Sequence, residues 1–143
     1  MKVIVSWNDK MQFEGSGETV SVSAKMDVTD REMGGEGKGQ TPKQLFLQSI
    51  AGCTGMDVIF ILNRMRAVLP EKFIIEVDAV EKSEDPKVFT KIDLAYRVEG
   101  EVDREKLLKA IRLSQETYCS IGAMVKKACE LNWSVFLNGE KTG

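Results

Sequence analysis

The apolar positions of this chain change their spacing from segment to segment, and each change marks a new element. Val3, Val5 and Trp7 alternate with Ile4 and Ser6, and Val20, Val22 and Ala24 alternate with serines. Residues 1–26 therefore predict short strands, with turns at 8–9 and 15–18. Residues 27–40 have no period and carry Gly34, Gly35, Gly37 and Gly39, so they predict a flexible loop. Thr41 then stands as a helix N-cap with Pro42 at the first helical position. From Gln44 to Asn63 the only charged residue is Asp57, and the pattern predicts a long helix over 41–67 that is buried on all sides. Gln48, Ser49, Asn63 and Asp57 favour a core helix over a membrane span, since an aspartate costs about 2.5 to 3.5 kcal/mol at a bilayer centre.

Over residues 72–138 the period becomes two, then helical, then two again. Ile75, Val77 and Ala79, followed by Ile92, Leu94, Tyr96 and Val98, predict an antiparallel pair turned at 83–86, with one face packed and one wet. Asp103 caps a helix whose Leu107, Leu108, Ile111, Gln115 and Tyr118 share a face, and Ser120 reads as the N-cap of a second helix to about Cys129. Trp133, Val135 and Leu137 predict a last strand, and the tail after 138 a frayed end. Strands, long helix, strand pair, helix pair and strand give an α+β class in a single domain over residues 1–143.

Composition narrows the chemistry. The chain has no histidine, which excludes Ser-His-Asp triads, histidine bases and imidazole metal sites. Twenty basic and 22 acidic residues without like-charge blocks give no footprint for nucleic acid or an anionic membrane. The start of the chain does not read as a secretory segment, so a cytoplasmic location and reduced thiols are expected. Gly37-Lys38 is followed by Gly39 where a phosphate loop needs Ser or Thr.

Thiol chemistry remains. The three cysteines, Cys53, Cys119 and Cys129, form no C-x-x-C pair and cannot supply four ligands for structural zinc. Cys53 lies between Gly52 and Gly55, which cost helix stability and call for close packing against that surface. Asp57, one helical turn on, predicts a buried or interfacial carboxylate held by hydrogen bonds, and its charge would raise the thiol pKa. Cys119 precedes a helix N-terminus, whose partial positive charge would lower its pKa. Cys129 reads as packing.

Two segments, Thr41-Pro-Lys-Gln-Leu-Phe-Leu-Gln-Ser-Ile-Ala-Gly-Cys53 and Thr117-Tyr-Cys-Ser-Ile-Gly-Ala123, with the element order around them, resemble the OsmC/Ohr family of osmotically inducible and organic hydroperoxide resistance proteins. The resemblance implies antiparallel sheets wrapped around long central helices in an intertwined homodimer. It further implies a thiol peroxidase with Cys53 as peroxidatic thiolate and Cys119 as resolving thiol, re-reduced by an external dithiol, with no metal or organic cofactor. Family peroxidases place an arginine beside the thiolate, held by a glutamate in a Pro-Glu-Gln-Leu segment. Here that segment reads Pro42-Lys43-Gln44-Leu45, so Lys43 is itself a source of positive charge, and Arg31, the only arginine upstream of Cys53, is the N-terminal candidate for the catalytic partner of the thiolate. The apolar side chains Phe46, Ile50 and Met56 are expected to receive the substrate's tail. Lys43 in place of the glutamate motivates the alternative, a non-catalytic dimer that binds a small apolar ligand with unactivated thiols. The features as a whole are closer to a less characterised branch of the family than to its hydroperoxide reductases.

Overall fold

The computed structural model describes residues 1–143, which form two compact units, Met1–Leu47 and Gln48–Gly143. In the first, β1 (Val3–Asp9), β2 (Gln12–Gly17) and β3 (Ala24–Met26) pair antiparallel in that order, with Trp7 opposite Phe13. The first turn passes through Lys10 in the left-handed region, and residues 15–17, expected as a turn, continue β2. Val20 and Val22 lie outside the strands, exposed to solvent, so alternation there was not evidence of pairing.

Residues 27–40 contain no regular helix or strand, as expected, but they are held in place. The carboxylate of Asp27, only 2% exposed, accepts hydrogen bonds from the backbone amides of Val28 (2.8 Å), Glu36 (3.3 Å) and Lys38 (3.0 Å). These amides, that of Lys38 foremost, hold its carboxyl below the ordinary value. The glycines serve close approach here. A Cβ would stand 2.2 Å from the Val28 carbonyl oxygen at Gly35 and 2.6 Å from that of Lys25 at Gly39.

Helix α1 (Pro42–Arg64) starts where Thr41 and Pro42 predict. Thr41 Oγ1 accepts from the Gln44 amide (3.2 Å), and Gln44 Oε1 accepts from the Thr41 amide (2.9 Å), a reciprocal capping box. The expectation of burial on all sides does not hold. Ile50, Thr54, Val58, Ile61 and Leu62 are buried, whereas Phe46, Met56 and Phe60 are exposed, because within one chain packing covers one face only.

In the second unit β4 (Lys72–Glu81), β5 (Phe89–Glu99), β6 (Glu130–Leu137) and β7 (Glu140–Lys141) form one sheet in that order. β4 and β5 pair antiparallel in the predicted register of faces, and Ile92, Leu94, Tyr96 and Val98 are all buried. β6 runs parallel to β5, the arrangement reached by a helical crossover of sufficient length. That crossover comprises α2 (Arg104–Leu113), a π-helical turn (Ser114–Tyr118) and α3 (Ser120–Val125). Asp103 caps α2 as expected, accepting from the Lys106 amide at 2.8 Å. The second helix is capped one residue earlier than expected and ends sooner. Cys119 is its N-cap, and Cys129 lies beyond its end.

The tail is not frayed. Asn138 and Gly139 both adopt positive φ, as in the two-residue turns that match the twist of a hairpin, and β7 folds back on β6. The Asn138 side chain also bonds the backbone N–H and C=O of Gly100.

Candidate active site

Cys53 sits in the middle of α1, and the backbone around it is set by the two glycines. Gly55 faces β4, where a Cβ would meet Ile75 Cδ1 at 3.2 Å, so its absence lets α1 lie close to the sheet. Nothing beyond its own helix lies within 4 Å of a Cβ at Gly52. That glycine forfeits about 1 kcal/mol of helix stability without compensation inside the chain. It opens instead onto an apolar groove of about 700 Å³ whose lining includes Gly55, Met56, Phe60, Phe73 and Ile75.

Cys119 is brought to Cys53 by the π-helical turn. Its backbone N–H reaches the Ser114 carbonyl at 2.9 Å, a five-residue bond that inserts an extra residue into the helical period. Continued α-helix would have kept Tyr118 on the face of Leu107 and Ile111. The wider turn leaves Tyr118 59% exposed and buries Cys119 to 3%.

Cys53 Sγ, Cys119 Sγ and a carboxylate oxygen of Asp57 lie within 4.8 Å of one another. The Cys119 sulfur accepts a hydrogen bond from the Gly122 amide at 3.3 Å, as a helix cap does. That donor favours the thiolate, as expected from the sequence, but it is outweighed. Burial first, then the neighbouring Cys53 thiol and the Asp57 charge, push the Cys119 thiol up to about 11.

A buried polar network fixes this triangle. Ser114 Oγ donates to Asp57 Oδ2 at 3.0 Å, so it must accept from Thr54 Oγ1 at 2.8 Å. Thr54 in turn accepts from the Tyr96 hydroxyl at 2.6 Å, and Tyr96 accepts from Gln115 Nε2 at 2.7 Å. Gln115 Nε2 also reaches Thr54 at 3.2 Å. Burial pushes the Tyr96 phenol up to about 12, so it stays a donor throughout. The network ties α1, β5 and the π-helical turn together, which sets the spacing between Cys53 and Cys119. Its members are not legible as site residues in the sequence, because Thr54 and Ser114 carry no periodic signal and Tyr96 reads as one packed position of β5.

The predicted ligand-lining residues divide. Met56 is exposed and lines the apolar groove, and Phe46 is exposed near the start of α1. Ile50 is fully buried and cannot touch a ligand, because its position on α1 faces the core. A second cavity, of about 540 Å³, opens directly at Asp57, and Phe60, Ile61, Leu113 and Tyr118 are among its walls. Arg31 lies in the N-terminal unit, where its guanidinium donates to the Gly35 carbonyl oxygen at 3.2 Å. Lys43 is exposed on the first turn of α1. Cys129 is half-buried past the end of α3, and burial raises its thiol pKa.

The state of Cys119 gives a direct check. Its folded pKa lies above the ordinary value of 9.0, so the stability it contributes is complete below about pH 9 and is lost as pH rises through about 11. In the native protein near pH 8, iodoacetamide is expected to modify Cys119 last of the three thiols, as read by peptide mass. Modification of Cys119 first would contradict the burial and the shift together.

The family model described as OsmC-like protein matches residues 35–134, and the chain belongs to that family. Protein YhfA of Escherichia coli (strain K12) is 28% identical over 135 residues, covering 94% of this chain and 96% of its own length. A crystal structure of a hypothetical protein from Aquifex aeolicus VF5 superposes with a TM-score of 0.79 at 29% identity, covering 96% of each chain. The organic hydroperoxide resistance protein OhrB of Bacillus subtilis shares the fold, with a TM-score of 0.65 at 14% identity over 94% of this chain and 96% of that one.

Proposed function

We propose that this protein is a thiol-dependent peroxidase that reduces organic hydroperoxides. The observation that carries the reading is the approach of Cys53, Cys119 and Asp57 to within 4.8 Å. The likeness in fold to a protein named for organic hydroperoxide resistance supports it. The Cys53 thiolate attacks one peroxide oxygen; the O–O bond breaks, the alkoxide leaves as an alcohol with a proton, and Cys53 becomes a sulfenic acid. The Cys119 sulfur then attacks the Cys53 sulfur; the S–O bond breaks and hydroxide leaves as water with the proton Cys119 carried. A thiol held protonated at rest is unsuited to the first role, and in the second Cys119 gives up its proton as it attacks. Asp57 is within reach of both sulfurs, directly or through one water, to pass protons between them. An external dithiol returns the disulfide to two thiols.

The working form is a homodimer. Met56 and Phe60 on α1 are exposed, as are Val3, Ile4, Val5 and Trp7 along β1. Apolar exposure of this extent on helix and strand requires cover, which a second copy supplies. The cavity at Asp57 offers the substrate's apolar tail Phe60, Ile61 and Leu113.

Lys43 where family peroxidases have glutamate favours a second reading, a dimeric binder of a small apolar molecule. A thiol count separates the two. On addition of about one equivalent of cumene hydroperoxide, two of the three thiols are expected to disappear within minutes and to return with dithiothreitol. Persistence of all three supports the binder.

A further inference from the structure

The groups around the thiol pair are also a donor set for a divalent cation. Cys53 and Asp57 stand one turn apart on α1, the i, i+4 spacing by which a helix presents two ligands to one metal. Cys119 completes a triangle whose donor atoms are all within 4.8 Å. Around Zn²⁺, thiolates at about 2.3 Å and a carboxylate oxygen at about 2.1 Å lie about 3.5 to 3.8 Å from one another. The donors need to close by about 1.3 Å at most, which small side-chain rotations supply. Asp57 forms no ion pair, although Arg64 lines the same cavity; its hydrogen bond comes from Ser114, on Oδ2, which orients the carboxylate.

We infer that Cys53, Asp57 and Cys119 together bind one Zn²⁺ through two thiolates and a carboxylate, leaving a fourth position open to water or an added ligand. Binding forms two S–Zn bonds and one O–Zn bond and releases one proton for each thiol protonated beforehand, that of Cys119 included; nothing is oxidised. The cation neutralises the negative charge that two thiolates and a carboxylate bring together on binding it. The site goes beyond the peroxidase reading and does not depend on it, since it needs reduced thiols and not their reaction with peroxide. The two exclude each other in time, because a Cys53–Cys119 disulfide has no thiolate to offer.

Cobalt(II) titration of the reduced full chain tests the site. The expected result is a near-ultraviolet thiolate-to-cobalt absorption that saturates at about one equivalent, falls on addition of Zn²⁺, and is accompanied by proton release. Cys53→Ser is expected to lose most of that absorption, and Asp57→Asn to keep thiolate absorption but bind about tenfold or more weakly. Cys129→Ser is expected to titrate as the unaltered protein does. The inference is overturned if no saturable absorption develops, if Asp57→Asn binds as tightly as the unaltered protein, or if the signal follows Cys129 instead of Cys53. Thiols that ignore peroxide but bind cobalt would overturn the peroxidase reading alone, and the reverse outcome would overturn the metal site alone.

Discussion

Replacement of Cys53 by serine is expected to reduce hydroperoxide consumption to the uncatalysed background, a loss of about 10³-fold or more, because an alcohol does not attack the O–O bond as a thiolate does. Cys119→Ser is expected to behave differently. The first oxidation still occurs, since Cys119 takes no part in it, but the sulfenic acid on Cys53 has no thiol in reach to resolve it. It accumulates and is trapped by dimedone, and turnover stops after one equivalent. The asymmetry follows from the site. Cys119 is 3% exposed with its thiol pushed up to about 11, whereas Cys53 is only half-buried on α1. If Cys53→Ser retained a single turnover and Cys119→Ser did not, the two roles would be exchanged.

The second large effect is expected at a residue that bears no thiol. Thr54→Val keeps the shape of a fully buried side chain and deletes a hydroxyl that meets Tyr96, Ser114 and Gln115. Each buried group left without a partner costs about 1 to 3 kcal/mol. Tyr96 and Ser114 lose this bond, while Gln115 Nε2 keeps its bond to Tyr96. Ser114 still donates to Asp57, so the Tyr96 hydroxyl alone is left without its acceptor, and a loss of about 1 to 3 kcal/mol in urea unfolding is expected. The same network holds the π-helical turn against α1, so disulfide formation is expected to slow as well, with the first oxidation of Cys53 unchanged. Equal slowing of both steps would show that the network supports the fold without setting the spacing of the thiols.

Strand β5 was clear in the sequence, because Ile92, Leu94, Tyr96 and Val98 face one core and their period needs nothing from elsewhere. The start of α1 at Thr41-Pro42 and the cap at Asp103 are local chemistry and appear where the sequence predicts. The exposed face of α1 was hidden. An apolar helix reads as buried, and whether a second face is covered within the chain depends on what lies opposite it. Residues 27–40 were read as flexible from their glycines, whereas Gly35 and Gly39 are there because backbone passes where a Cβ would stand. The β7 hairpin does carry a signal, Asn138-Gly139, set in a tail whose polarity suggests a frayed end.

The site was half legible. Resemblance pointed to Cys53 and Cys119, and the structure places them together. The means of bringing them together was not visible, because a π-helical turn leaves no trace in a 3.6-residue period. That single inserted residue moves Tyr118 to solvent and Cys119 inward. The helix N-terminus at Cys119 is visible in the sequence and its burial is not, and burial is the larger influence. Ile50 was grouped with Met56 as apolar, although only one of them faces a cavity.

The central claim is that Cys53 and Cys119 form a redox pair driven by organic hydroperoxide. Peptide mass mapping after brief exposure of the reduced protein to about one equivalent of cumene hydroperoxide, beside the same exposure to hydrogen peroxide, tests it most directly. The account predicts a Cys53–Cys119 disulfide that forms within the exposure, faster with the organic peroxide, while Cys129 remains a thiol. Free Cys53 and Cys119 after exposure, or a disulfide that enlists Cys129 in place of either, would contradict it.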